Sequence, residues 1–469
     1  MSLSSRRSWA LALIAAAQFM VIMDTSIIGV ALPQMQESLG FSQENLSWVF
    51  NAYVVAFGGL LLLGGRLSDL FGARTVFASG WAILLAGSVL AAAAGNVATE
   101  LAGRAVQGAG AALIAPSALT LLMMLFGNDP KELTKALALY GAAAPAGGTA
   151  GVFLGGVITE YVSWPWVFYL NVPVALLALA GTFALMPQGN GGTRGSVDWL
   201  GALLATAGLG GAVYAVVRAP EAGWASAQTW AVLAAAGVLL AAFVALQALR
   251  REPLMRLGIF RAPNLAAANL AQLLLGAAWI PMWFFLNLYL QQVLGYSAFP
   301  SGAALLPMTV LIMAGMIVLS PRAARSFGPK AMTVAGLGIL AAGTAGLAFI
   351  RPQGTFWLDV LPASLIAALG MALAFIPSLG TAISAAPAQE GGLASGIVNT
   401  SYQIGSALGL AAMTAVATSN GAGELGNATV LTGGFSAALA GAAIIALAGA
   451  ALAAVTLRGK QGTSPTEAR

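Results

Sequence analysis

Long apolar runs separated by short polar loops recur along the whole chain. A run of about twenty residues is long enough for an α-helix, rising about 1.5 Å per residue, to cross the roughly 30 Å hydrocarbon layer of a bilayer. Runs of this length predict fourteen membrane-spanning helices in a six, two and six arrangement. The predicted spans are residues 9–31, 46–63, 75–94, 99–125, 135–158, 166–186, 199–217, 228–249, 265–288, 301–319, 332–350, 358–382, 393–417 and 430–457.

The loops divide this series of helices into parts. A polar, glycine-rich connection over 187–197 follows the sixth run, and a basic stretch over 250–261 follows the eighth. We therefore expect four parts. They are an amino-terminal six-helix bundle over 1–187, two inserted helices with inner linkers over 188–262, a carboxyl-terminal six-helix bundle over 263–457 and a cytoplasmic tail over 458–469.

The composition agrees with an all-α polytopic membrane protein. Apolar residues make up 59% of the 469 positions, charged residues 7%, and the mean hydropathy is +0.87, which excludes a water-soluble globule. The chain has no Cys and no His, so disulfides, thiolate-bound metals and the commonest metal ligand and general base are excluded. We expect no metal, no cofactor and no enzymatic activity.

Basic residues predict the orientation, because Lys and Arg are retained on the cytoplasmic side during insertion. With the amino terminus inside, only Arg104, Arg218 and Arg351 of the twenty Lys and Arg fall outside the inner loops and tails. An even number of spans with both termini cytoplasmic follows. The net charge of +5 is then topological and predicts no nucleic-acid partner. Arg6 and Arg7 before an apolar run resemble a signal peptide, but the run is too long, so we expect a retained first span.

Two inner loops show an internal repeat. Residues 65–74 match residues 321–330 without a gap, sharing Arg, Phe, Gly and a terminal basic residue. A shorter echo, Pro followed by Ser, occurs at 116–117 and at 377–378. Each loop follows the second span of its six-helix half, which predicts two parallel repeats related by an axis along the membrane normal.

An acid within the first apolar run is the main candidate for chemistry. A carboxylate at mid-membrane costs about 3 kcal/mol, so Asp24 needs a cavity, a partner or a proton, unless it only caps or snorkels near the outer end. Arg104 falls at a similar predicted depth and would hold that carboxylate ionised. A permanent ion pair that fixes helix packing is the alternative. Asp198, Glu160 and Asp359 fall at predicted helix ends, where solvation is expected, so one deep acid predicts one proton per turnover.

Three strings resemble signatures of the major facilitator superfamily, and specifically of its fourteen-span drug:proton antiporter family. They are G-x-L-x-D-x-x-G-x-R from Gly65 to Arg74, R-x-x-Q-G-x-G-A-A from Arg104 to Ala112, and D-T-x-I-x-x-x-A-L-P from Asp24 to Pro33. The resemblance covers nearly the whole chain. It implies the major facilitator fold and proton-coupled export of small amphipathic or hydrophobic compounds by alternating access, in the manner of multidrug efflux at a bacterial plasma membrane.

The resemblance also implies roles for two groups of residues. The first is an inner gate, with a plain topogenic loop as the alternative: Gly65, Arg66, Asp69, Gly72 and Arg74. The second is a fifth-span antiporter signature, which is a helix-packing surface first: Gly147, Gly151, Gly155 and Gly156. Val152 stands where that signature has proline, which leaves the direction of transport open.

Aromatic and amide residues on spans expected to line a cavity are the candidates for substrate contact: Tyr53, Phe57, Gln107, Trp279, Trp283, Asn287, Gln291, Asn399, Tyr402 and Gln403. The alternative for each of them is that it faces lipid or packs in the core and does not contact a substrate. The shortage of deep acids favours neutral or singly charged substrates. Expected partners are protons, a small molecule and the lipid bilayer, with the chain acting as a monomer. A lipid or peptide exporter and a non-transporting receptor or assembly factor remain open.

Overall fold

The computed structural model describes residues 3–41, 48–187, 198–250, 253, 257–387, 391–422 and 427–458, and within these ranges the chain is helical with no strand. The helices α1 to α16 are Leu3–Leu39, Trp48–Phe71, Ala73–Ala92, Val97–Phe126, Pro130–Tyr161, Trp166–Tyr169, Asn171–Leu185, Trp199–Ala222, Ala227–Leu249, Leu265–Leu288, Ala298–Ala304, Leu306–Ala314, Ser320–Leu347, Leu361–Ser384, Gly391–Ala417 and Ala428–Thr456. A 3₁₀ turn covers Leu257–Arg261, and π turns cover Tyr289–Val293, Gly315–Leu319, Phe356–Val360 and Thr418–Ala422. Most of the predicted connection over 187–197 lies outside the described residues.

Twelve helical segments in the described ranges are long and apolar enough to cross a membrane. One of them, Phe299–Leu347, is 49 residues long, about twice what a single crossing needs, and its backbone breaks at Gly328. A further helix, α15, has 27 residues and would extend about 40 Å. The membrane-spanning, all-helical fold is confirmed, while the count of fourteen crossings and the domain boundaries stay predictions.

Helix ends fall where polar side chains can accept the first free backbone N–H groups. Asn96 Oδ1 accepts from Thr99 N at 2.9 Å before α4, and Asp129 Oδ1 accepts from Lys131 N at 2.7 Å before α5. The first helix differs from its prediction, since α1 continues through Pro33 to Leu39 instead of ending near residue 31. Asp24 is therefore further from the helix end than the sequence indicated. We call the end of the bundle at which α1 begins the inner end.

Helix packing repeats in the two halves of the chain. In the first half α1 packs on α5, α4 packs on both α2 and α3, and α3 packs on α7. In the second half the corresponding pairs are α10 with α15, α14 with α12 and α13, and α13 with α16. The halves meet through α2 with α15 and through α5 with α11 and α12. The inserted pair, α8 and α9, packs against this seam, because α8 contacts both α2 and α15.

The backbone reproduces the sequence repeat. Gly72 has φ +85° between α2 and α3, and Gly328 has φ +82° at the break in α13, at equivalent positions of the two matching loops. Left-handed backbone strains residues with a Cβ, so both loops use glycine for the same sharp change of direction. Pro116 lies inside α4 and Pro377 inside α14, and the hydroxyl of the following serine donates to its own helix in both cases.

Two acids expected to be solvated at helix ends are buried and paired instead. Asp198 is 1% exposed and accepts from Gln247 Nε2 and Arg250 Nη1, both at 2.9 Å, which joins the two ends of the inserted pair. The Asp359 side chain is 4% exposed and meets Arg351 Nε at 2.6 Å. The expectation was wrong because each end supplies an arginine that replaces water. Glu160 is exposed as predicted.

Close approach of α1 and α5 depends on glycine. A Cβ built on Gly147 would lie 2.3 Å from Phe19 O, and one built on Gly151 would lie 2.8 Å from Met23 O. Gly155 and Gly156 continue the buried part of α5. Small residues let helix backbones pack closely where lipid supplies no hydrophobic drive for association. The signature glycines are therefore a packing surface.

Gly147→Ala is expected to destabilise the protein by about 1–3 kcal/mol, because the new methyl group has only backbone to push against. The adjacent Gly148→Ala is the matched control, since its nearest neighbour would be Ser26 Oγ at 3.7 Å, an ordinary contact. Apparent melting temperatures of the purified variants measure the difference. Equal melting temperatures for the two variants would show that this contact does not limit packing.

Candidate functional site

Asp24 and Arg104 form an ion pair inside the amino-terminal half. Arg104 Nη1 lies 2.6 Å from Asp24 Oδ2, joining α4 to α1. Arg104 is 0% exposed and Asp24 is 1% exposed. The predicted partnership is thus present in this conformation. The carboxylate is closed off from solvent in this conformation.

Two amides complete the surroundings of the carboxylate. Asn171 Nδ2 donates to Asp24 Oδ1 at 2.6 Å and Gln107 Nε2 donates to the same oxygen at 3.2 Å. Both amides also donate to Ser88 Oγ, at 3.3 and 2.8 Å. Asp24 therefore accepts three hydrogen bonds from one guanidinium and two amides, which is the donor set of an ionised carboxylate.

Arg104 is fixed on its other sides as well. Its Nε donates to Val49 O at 3.0 Å and its Nη1 to Gln107 Oε1 at 2.7 Å. The guanidinium carbon lies 4.6 Å from the centre of the Tyr53 ring and 5.8 Å from that of Phe168. Aromatic faces attract a cation more strongly when both are removed from water. The arginine is therefore held in place even without its carboxylate partner.

The inner loop joins the two halves through Asp69. Its Oδ2 accepts from Leu393 N at 3.0 Å, in the first turn of α15, where the helix dipole favours negative charge. Next to this bond α15 approaches α2 closely, because a Cβ on Gly396 would lie 3.2 Å from Leu61 O and 3.5 Å from Gly65 Cα. The inner ends of α2 and α15 are thus closed against each other.

The other gate residues lie within the amino-terminal half. Arg74 Nη2 donates to Phe183 O at 2.6 Å, and its guanidinium carbon is 5.5 Å from the Phe183 ring centre. The nearby end of α7 thus supplies Arg74 with a carbonyl and an aromatic ring. Arg66 is half-buried near the end of α2, and Gly72 makes the turn into α3.

The predicted substrate residues divide into two groups. Tyr53 and Gln107 belong to the Asp24 cluster, and Phe57 packs on Tyr53 with ring centres 5.7 Å apart, so all three are buried. Trp279 is buried in the carboxyl-terminal half. The remaining residues are half-buried or exposed on α10, its π turn and α15: Trp283, Asn287, Gln291, Asn399, Tyr402 and Gln403.

Within the second group, contacts form within a helix and between helices of the same half. Gln291 Nε2 donates to Asn287 Oδ1 at 2.8 Å, and the Tyr402 ring meets Phe375 of α14 edge-on at 5.7 Å. A cavity of about 370 Å³ at the inner end, between the start of α10 and the end of α16, is lined by none of the predicted substrate residues.

Sequence reasoning missed Asn171, Ser88 and Glu100. Glu100 lies in the first turn of α4 and is 0% exposed, so Asp24 is not the one acid buried in this half. The reason is that α4 starts at Val97 with apolar neighbours packed around its first turn. The signal in the sequence was that Glu100 lies four residues before Arg104. A single amide or hydroxyl in an apolar span, such as Asn171, gives no comparable signal.

Solved structures with the same architecture are membrane transporters. The chain resembles a human organic anion transporter with a TM-score of 0.66 and 14% identity, covering 95% of this chain and 99% of that one. It also resembles a proton:xylose symporter with a TM-score of 0.66 and 14% identity, covering 96% and 95%. At such identities the likeness concerns the fold.

Sequence relatives are closer. The cephamycin export protein of Amycolatopsis lactamdurans is 37% identical over 443 residues, which is 94% of this chain and 90% of that protein. The puromycin resistance protein of Streptomyces alboniger is 37% identical over 419 residues, or 88% and 82%. The family model described as Major Facilitator Superfamily matches residues 14–410. The chain therefore belongs to the major facilitator superfamily, and it is a multi-pass membrane transporter related to antibiotic export and resistance proteins.

Proposed function

We propose that the protein exports small amphipathic or hydrophobic organic compounds in exchange for protons, by alternating access with both termini in the cytoplasm. The observation that carries this proposal is the buried ion pair of Asp24 with Arg104, with Gln107 and Asn171 as further donors. The names of the relatives support a substrate of antibiotic type and outward transport. The 49-residue segment counts as two crossings and α15 as one more, which gives fourteen.

In the proposed cycle Asp24 exchanges its arginine for a proton. Opening of the amino-terminal half brings water to the Asp24 carboxylate. A proton then neutralises the carboxylate, and the interaction with Arg104 is no longer an ion pair. Substrate and proton then alternate at this site as the halves rock. One proton moving inward through 100 mV supplies about 2.3 kcal/mol and each pH unit about 1.4 kcal/mol, which suffices to bias such an equilibrium.

The inner contact of Asp69 with α15 forms the gate of this cycle. It joins the two halves through the Asp69 carboxylate and the first turn of α15, in a seam where Gly65 and Gly396 let the backbones approach closely. Opening towards the cytoplasm has to break this contact. A hydrogen bond to a charged group contributes about 1.5–3 kcal/mol, so the gate can shift with modest driving forces.

Asp24→Asn is expected to abolish pH-gradient-driven transport while leaving the protein in the membrane, because the amide has the size of aspartate but takes up no proton. The measurement is uptake of a panel of dyes and antibiotics, including puromycin, into inverted vesicles with and without an imposed pH gradient.

Glu160→Gln is the matched control, since it removes an exposed acid near the outer end of α5. Gradient-driven uptake that persists in Asp24→Asn would exclude the proposed coupling. A receptor would show no gradient effect even in the natural chain. A lipid or peptide exporter would leave the panel compounds outside and confer no drug resistance.

Asp69→Ala is expected to favour opening of the inner end by roughly tenfold, because α15 loses a charged acceptor. The chain has no Cys, so a single Ser395→Cys, buried at this seam, reports opening by its rate of maleimide labelling. Labelling should become faster when Asp69→Ala is added.

Asp129→Ala is the control for that experiment. Asp129 also accepts a backbone N–H at the inner end, from Lys131 N at 2.7 Å, but within one half. Labelling should not change with this variant. If both alanine variants accelerate labelling equally, or neither does, Asp69 is not the gate.

A further inference from the structure

Glu100 is a buried acid that the proposed cycle does not use. It is 0% exposed in the first turn of α4, and neither carboxylate oxygen has a hydrogen-bond partner. Val97 and Leu101 on either side of it pack against an apolar cluster that includes Ile28 and Phe168. In this conformation the Glu100 carboxyl group therefore contacts neither solvent nor a hydrogen-bond donor.

The charge balance of the cluster points to a protonated Glu100. Arg104 and Asp24 already neutralise each other, so an ionised Glu100 would add an uncompensated buried charge, which costs several kcal/mol. A neutral carboxyl group avoids this cost. Among the described residues, the charged groups that act on Glu100 are Arg104 on its own helix and Asp24 on α1. Helices α2, α3 and α7 contribute Tyr53, Ser88 and Asn171 to the cluster around that pair.

Arg104 has a free bonding position for a second carboxylate. Its Nη2 has no partner, although Nε and Nη1 are fully engaged. Residues four apart in a helix lie on one face, about one turn from each other, so Glu100 and Arg104 are neighbours on α4. Glu100 is also about 6 Å nearer to the start of α4 at the outer end.

We propose that Glu100 is a second proton-carrying residue, which ionises and pairs with Arg104 when Asp24 becomes protonated. In this exchange the O–H bond of Glu100 breaks and an O–H bond forms on Asp24, so the number of protons and the net charge of the cluster stay constant. The Arg104 guanidinium changes partner and is paired with an ionised carboxylate throughout. Because Glu100 lies nearer the outer end, it takes up the external proton after its own proton has moved to Asp24. The role in transport rests on the proposed function; the exchange itself does not.

Infrared spectroscopy of the full-length protein in lipid bilayers tests the exchange without any substrate. At pH 7 the natural chain should show a carbonyl stretch of a protonated carboxyl group that shifts in D₂O and is lost in Glu100→Gln. Asp24→Asn imitates the protonated aspartate, so the same band should be lost there too, and it should return at lower pH as Glu100 is titrated. Glu160→Gln should leave the band unchanged, because that acid is exposed.

The proposal is overturned if the natural chain lacks a protonated carboxyl group sensitive to Glu100→Gln, or if the band keeps its full intensity in Asp24→Asn at pH 7. Should Glu100→Gln not fold, the difference between the natural chain and Asp24→Asn still reports the band, and Glu100→Asp should move it. Transport assays separate the two proposals. If Asp24→Asn loses gradient-driven uptake but keeps the infrared band, only the proton exchange with Glu100 is overturned. If Asp24→Asn keeps gradient-driven uptake, the proposed proton coupling through Asp24 is overturned, whatever the spectrum shows.

Discussion

The amino-terminal half is organised around the need to neutralise one carboxylate away from water. Asp24 on α1 receives Arg104 and Gln107 from α4 and Asn171 from α7, while Ser88 on α3 and Tyr53 on α2 complete the cluster. Five helices thus contribute to one charge pair. Breaking a buried pair by removing one partner costs about 3–5 kcal/mol, so the pair helps to fix the packing of these helices.

The sequence left open whether Asp24 and Arg104 form a permanent ion pair or a pair that couples to protons. A permanent ion pair and a coupling device have the same contacts in a closed conformation, and they differ in whether the helices ever separate. Between the halves, the inner contacts of the described residues include the hydrogen bond from Leu393 N to Asp69 and the close approach of Gly396 to Leu61. The ion pair of Asp24 with Arg104 and the inner contact of Asp69 with α15 each involve a few kcal/mol, which is comparable to the free energy that one proton supplies.

Hydropathy predicted the helices because a bilayer leaves few other solutions for the backbone. The loop repeat predicted two related halves, and its match places Gly72 and Gly328 at equivalent turns with positive φ, which glycine adopts easily. Side-chain partners were harder to predict. Asp198 and Asp359 appeared solvated because their arginines lie 52 and 8 residues away in sequence. The contact between the Tyr53 ring and Arg104 could not be predicted, because it forms only when α2 packs on α4.

The central claim is that substrate and proton compete through Asp24. Its most direct test is proton movement itself, followed with a pH-sensitive dye trapped in proteoliposomes that hold the purified chain and an imposed pH gradient. Addition of a transported antibiotic should accelerate collapse of the gradient with the natural chain and leave it unchanged with Asp24→Asn. Equal acceleration in both would contradict the account.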